Sequence, residues 1–180
     1  EPYRRQRQMC IRDSAYTAHN ETVYNLSSVP TNDPSLLDTC VLILHDWSYY
    51  LTLDDQEIDN ERGVISEEWR TRRTSGFRMQ KQMFPVLFKG SQYAIRDVIG
   101  SLDVIKNFKY QTIKDFYHKW YRTDLEAIAI VGDFDIKEME QRVKDIMSKV
   151  PAIENPTPRP FFEIPSHDEI YYCLLYTSPS

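Results

Sequence analysis

Residues 58–73, IDNERGVISEEWRTRR, are dominated by charge, yet their few apolar residues keep helical spacing. At roughly 100° per residue, Ile58, Ile65 and Trp69 share one direction. Glu61 and Glu68, two turns apart, fall within about 80° of it, and Val64 closes the far side of that arc. Glu67 points the opposite way. The spacing therefore predicts a helix with two carboxylates on its apolar side and a third in solvent. A carboxylate on such a face needs a partner, because desolvating it alone costs several kcal/mol. An arginine is the ordinary partner: Arg72 lies one turn beyond Glu68, and Arg62, Arg70 and Arg73 are near. A metal ion is the other.

The rest of the chain limits the classes open to it. Its 180 residues can hold one ordinary domain with a sizeable core. With 41% hydrophobic and 13% aromatic residues it is globular. No apolar run approaches the roughly 20 residues of a membrane span, and the opening residues contain no apolar signal-peptide core. A net charge of -5 argues against a nucleic-acid partner. The one basic cluster, Arg4, Arg5, Arg7 and Arg12, lies in an end that is itself unusual. RQMCIRDS near the start and CLLYTSPS at the end resemble translated sequencing adapters. Residues 1–14 and 173–180 are accordingly expected to be non-native and are set aside. Of Cys10, Cys40 and Cys173 only Cys40 then remains, on a helical apolar stripe, where it reads as core packing.

Taken in order, Ala15, Tyr16 and Thr17 form a short β-capable run, followed by a polar turn at 18–21 and a second strand at 22–28. Asp33 and Pro34 open a helix, whose stripe is Leu37, Cys40, Val41, Leu44, Trp47 and Leu51. His45 and Asp46 are neighbours on it, but adjacent residues diverge by about 100°, so a catalytic pair is not expected. Thr52 with Asp55 reads as a capping box for the carboxylate helix. From there to Pro85 the pattern defines no further element, and 90–101, GSQYAIRDVIGS, reads as a loop. A second amphipathic helix covers 109–121, through Ile113, Phe116, Tyr117 and Trp120. Residues 125–131, LEAIAIV, are expected to be a strand buried on both faces, paired in one sheet with the strands of 15–28. Asp135 and Glu138 cap a last helix with Met139, Val143, Ile146, Met147 and Val150 on its stripe. Four prolines stiffen the linker 151–160, and 161–164 reads as the first strand of a continuation.

The run ERGVISEEW resembles the third-ligand helix of the insulinase/pitrilysin family of zinc metallopeptidases, the inverted H-x-x-E-H enzymes. The match puts Glu68 at the zinc-ligand position and Glu61 at the supporting position behind it. Ala15, Tyr16 and Thr17 are similar to the family strand N-A-[YF]-T, which binds an extended peptide substrate at the sheet edge. Ser14 stands where that strand has asparagine. YRTDLEAIAIVGDFD is similar to the start of the family's second structural half. The resemblance implies an α/β fold: an antiparallel-rich mixed sheet covered by helices on one face, as an incomplete half-domain of the insulinase and mitochondrial-processing-peptidase type. Residues 15–150 would form the partial peptidase domain and 151–172 the linker and first strand of the continuation. Zn2+, a peptide or protein substrate, and a second peptidase half or partner subunit are the implied partners. Bacterial members imply a cell-envelope or periplasmic setting.

None of His19, His45, His118 and His167 stands in H-x-x-E-H or H-E-x-x-H spacing. The resemblance places that motif, with the general base, before residue 15. The chain is therefore expected to be inactive alone, as an internal part of a zinc-dependent metalloendopeptidase. A non-catalytic relative serving as scaffold or partner subunit is the alternative, and an unrelated α/β binding domain a remoter one.

Overall fold

Asp33 accepts hydrogen bonds from the amides of Ser35 and Leu36, and Pro34 needs no acceptor, so the first helix starts where the sequence places it. The computed structural model describes residues 15–168 and 170–172. The two ends expected to be non-native lie outside these residues, as do Ser14, Cys10 and Cys173. In chain order the elements are β1 (Ala15–Thr17), β2 (Thr22–Tyr24), α1 (Pro34–Tyr49), α2 (Asp55–Thr71), α3 (Ser75–Leu87), α4 (Leu102–Asn107), α5 (Tyr110–Trp120) and α6 (Ile136–Met147). A 3-10 turn, Gln92–Ala94, lies between α3 and α4. The fold is helix-rich with a small antiparallel sheet. It divides into two units, residues 15–53 with Gln111–Pro158, and Asp54–Tyr110 with the described residues after it from Arg159 on.

In the first unit β1 and β2 pair antiparallel, Ala15 opposite Tyr24, Tyr16 opposite Val23 and Thr17 opposite Thr22. Ala18 N–H donates to the Glu21 carbonyl at 2.8 Å and closes the turn. Val41 of α1, Tyr117 of α5, Met139 of α6 and Val150 are the buried apolar residues here. Arg142 fixes α6 to α1, donating to the Pro34 carbonyl at 3.1 Å and pairing with Asp38. Tyr117 is the hub. Its hydroxyl donates to the Trp47 carbonyl at 2.8 Å and accepts from Leu51 N–H at 3.3 Å, so it holds the C-terminal end of α1. Burial pushes its pKa up to about 12. Tyr117→Phe leaves a half-buried carbonyl and amide without that partner, and should cost about 1–2 kcal/mol in chemical denaturation.

In the second unit α2 packs on α4 through Ile58 and Ile105, both buried. The side chain of Asp54, not a Thr52–Asp55 box, caps α2, accepting from the amides of Gln56 and Glu57. The stretch to Pro85 that showed no pattern is helix α3. Its N-cap is Thr74 and it runs two residues past Pro85. Phe77, Phe84 and Val86 are its half-buried side, and Met79, Met83 and Leu87 remain exposed on another. Phe84, Phe88, Tyr93 and Phe162 form a chain of ring contacts with centroids 5.0 to 6.3 Å apart. Gly90 sits at φ +82, and a Cβ there would lie 3.3 Å from Pro165 Cγ. Both facts call for glycine.

Two expected strands are absent from the sheet. Residues 125–131 and 161–164 have no strand assignment, and the sheet of the described residues has only β1 and β2. Instead of being buried on both faces, Val131 is 97% exposed and Leu125, Ile128 and Ile130 are also exposed. The physical reason is that a strand is a pairing relation. The apolar, β-branched run supplies the propensity, but no neighbouring strand meets it among the described residues.

Candidate functional site

The packed stripe of α2 is Ile58, Arg62, Ile65 and Trp69, at spacings of four, three and four residues. Arg62, not a carboxylate, takes the inner charged position. Its stem is buried along the stripe, its guanidinium lies 3.8 Å over the Phe108 ring, and it donates to the carbonyls of Ile105 at 2.7 Å and Phe108 at 2.6 Å. Those carbonyls end α4, where the helix leaves acceptors unsatisfied, and the cation meets them. Asp59 pairs with Arg62 at 2.8 Å and accepts from the Tyr110 hydroxyl at 2.5 Å, and these two contacts hold its carboxyl below the usual range.

The expected inward carboxylates sit on the shoulder of this stripe. Glu61 is exposed, and its side chain has no hydrogen bond or ion pair among the described residues. The Glu68 side chain is 41% exposed, and its Oε1 lies 2.6 Å from Arg72, the arginine the sequence had offered. Glu67 faces solvent as expected and meets Arg70 at 2.5 Å. Val64, expected to close the arc, is 58% exposed. The apolar arc expected from Ile58 through Glu61, Glu68 and Val64 is displaced: the packed side runs through Arg62, which the spacing offered only as a nearby partner. A long side chain with an apolar stem can occupy a stripe position while its head finds carbonyls.

An i,i+4 pair such as Glu68–Arg72 stabilises an exposed helix by about 0.3–0.5 kcal/mol. That is small against ligation of a divalent ion, so the Glu68 carboxylate remains available. A structural or catalytic zinc site nevertheless needs at least three protein ligands. Among the described residues no three of His, Cys, Asp and Glu converge. The described residues by themselves therefore do not fit a zinc ion, and Glu68 is a single donor.

Ala15, Tyr16 and Thr17 are exposed, and their ladder to β2 occupies one edge of β1. The other edge has no partner strand among the described residues. Such an edge can accept an extended peptide as a further strand.

The first unit also brings together residues that the sequence reading kept apart. His45 Nδ1 lies 2.9 Å from Asp46 Oδ1, although the two are adjacent on α1. Their Cβ directions diverge, but both side chains bend back to meet. The ring stacks on Tyr50 at 4.6 Å, and Nε2 is buried without a partner among the described residues. With that nitrogen enclosed, His45 packs rather than acts as a base on a substrate. Glu126 is the second finding. It is half-buried, and burial first, then the nearby Asp124 charge, raise its pKa to about 7. A carboxyl raised above its unfolded value favours the protonated fold. Its contribution is full below about pH 4.5 and is lost as pH rises through about 7. The melting temperature should fall between pH 5 and pH 8, by linkage on the order of one group, and Glu126→Gln should flatten that slope. An unchanged slope would assign it to other groups.

Two family models match the chain. That of insulinase (peptidase family M16) covers residues 5–83, and that of the peptidase M16 inactive domain covers residues 107–173. The chain is 36% identical, over 79% of its length, to the probable zinc protease PqqL of Haemophilus influenzae, of which it spans 15%. Over 92% of its length it is 35% identical to a zinc protease PQQL-like of Arabidopsis thaliana, of which it spans 17%. The crystal structure of the first half of the periplasmic protease PqqL from Escherichia coli matches 86% of this chain and 32% of that one, with TM-score 0.77 and 34% identity.

Proposed function

This chain belongs to the insulinase family of peptidases, and from that premise we propose that it is part of a zinc-dependent metalloendopeptidase to which it contributes Glu68 as a metal ligand. The observation that carries the reading is on α2. Glu61 and Glu68 lie two turns apart on one shoulder of the helix, outside the packed stripe, within the segment that the peptidase model matches. Zinc, when bound in such an enzyme, lowers the pKa of its water toward about 7 and polarises the scissile carbonyl.

What the residues of this chain do follows from their places. Glu68 offers a carboxylate whose only ion-pair partner, among the described residues, is a surface arginine. Glu61 stands about 10.5 Å back along the helix axis at 1.5 Å per residue. It therefore supports a neighbouring ligand by hydrogen bonding rather than Glu68 itself. The open edge of Ala15, Tyr16 and Thr17 holds an extended peptide by main-chain hydrogen bonds, so that alternate side chains are read. The general base and remaining ligands belong to an H-x-x-E-H segment before residue 15, and a second peptidase half completes the enzyme. The periplasmic protease PqqL supports a periplasmic or cell-envelope setting.

The test is metal analysis and cleavage of a quenched fluorescent peptide, with the chain alone and with an upstream H-x-x-E-H segment joined in frame. The expected result is stoichiometric zinc and cleavage only in the longer chain. Absence of both from a folded longer chain would overturn the reading.

A further inference from the structure

Residues 69–81, WRTRRTSGFRMQK, hold Arg70, Arg72, Arg73, Arg78 and Lys81 and no acid, in a chain whose net charge is -5. Arg70 and Arg72 are engaged by Glu67 and Glu68, and Lys81 pairs with Asp97 at 2.9 Å. Arg73 and Arg78 have no carboxylate partner among the described residues. The Arg73 guanidinium lies 4.6 Å over the Trp69 ring, and Arg78 donates to the Arg73 carbonyl at 3.3 Å. Arg73, Arg78 and Lys81 line a groove of about 420 Å³ whose apolar lining is Trp69, Phe77 and Met79 and whose one lining acid, Asp97, is the partner of Lys81. The exposed apolar surface continues along α3, where Met79, Met83 and Leu87 recur every fourth residue at 42, 46 and 49% exposure.

We infer that this groove docks an acidic segment of a peptide substrate, an apolar side chain lying against Trp69, Phe77 and Met79 while neighbouring carboxylates meet Arg73 and Arg78. The inference rests on the peptidase reading and adds a preference for acidic sequence. Charge complementarity selects the occupant. A guanidinium stacked on an indole keeps its N–H edge free and preorganised for a carboxylate, and Arg78 lines the same groove. The apolar lining distinguishes a peptide from a polyphosphate, which has no apolar group to place there. The negative chain as a whole repels nucleic acid, and a concave groove does not insert into a bilayer.

The test is fluorescence anisotropy with the 180-residue chain, without zinc. One labelled peptide carries Glu and Asp around Leu and Phe, and its counterpart carries Lys in place of the acids. The acidic peptide should bind at least about tenfold more tightly at low salt, lose affinity as salt rises, and change Trp69 emission in a way that Trp69→Phe abolishes. Arg73→Gln with Arg78→Gln should weaken it about tenfold. Lys119→Gln, in the other unit, should not. If the double variant fails to fold by circular dichroism, the single variants are read instead. Equal binding of both peptides, unchanged affinity in the arginine variants, or tighter binding of single-stranded DNA or anionic vesicles would each overturn the proposal. Because no zinc is present, failure here leaves the role of Glu68 untouched, and failure of zinc binding leaves the groove untouched.

Discussion

Glu68→Gln, in a chain extended upstream by an H-x-x-E-H segment, is expected to weaken zinc binding by more than about 100-fold. That exceeds the 10–100-fold typical of groups that only support a ligand. An amide oxygen still reaches the metal but carries no negative charge, and a divalent ion selects for charge. Glu61→Gln should fall within the supporting range, since the amide keeps some of the hydrogen bonding of a carboxylate. Glu67→Gln is the control. Glu67 is 61% exposed and, among the described residues, engaged only with Arg70, so zinc affinity should stay within about twofold. Arg72→Ala separates the two partners of Glu68. It should leave zinc affinity unchanged or slightly raised, because a competing surface cation is gone. Competition with a chromogenic chelator reads all four. If Glu67→Gln were damaging and Glu68→Gln harmless, the ligand assignment would be wrong.

Arg62→Ala is expected to destabilise the second unit by about 3 kcal/mol, the scale of removing a largely buried charge-assisted network. Two carbonyls at the end of α4 lose their donor, the Phe108 ring loses the cation above it, and Asp59 keeps, among the described residues, Tyr110. Arg62→Lys should recover a minority of the loss. One ammonium cannot donate along two directions to separate carbonyls as the guanidinium fork does. Chemical denaturation monitored by Trp69 emission in a Trp47→Phe, Trp120→Phe background reports this unit, and Tyr117→Phe, in the other, is the comparison. A loss below about 1 kcal/mol would show the contacts to be solvent-like surface pairs.

The arginine and the two glutamates of α2 also show how far the sequence could be read. Helical spacing placed Ile58, Ile65 and Trp69 on one side, and the family resemblance named Glu61 and Glu68. Spacing alone could not rank Arg62 above Glu61 for the inner place. That ranking needed the α4 carbonyls, which come from residues more than forty positions on. The His45–Asp46 contact escaped for a related reason. Backbone direction is periodic and readable, whereas the rotamers that bring adjacent side chains together answer to packing. Helix α3 was missed although Phe77, Phe84 and Val86 are half-buried, because its apolar residues lie on more than one side and Pro85 reads as a helix end.

The sequence by itself determined the helices whose caps and stripes are local: Asp33 with Pro34 before α1, Asp135 before α6, and the amphipathic run of α5. It also determined the family, through short motifs that retain their spacing. Tertiary structure alone decided which charge enters the α2 stripe, that Tyr117 closes α1, that Glu126 is half-buried, and that 125–131 forms no ladder among the described residues. Caps and periodicity depend on atoms within a few residues of each other. Strand pairing and charge burial depend on groups distant in sequence, whose approach must offset the entropy of ordering the chain between them.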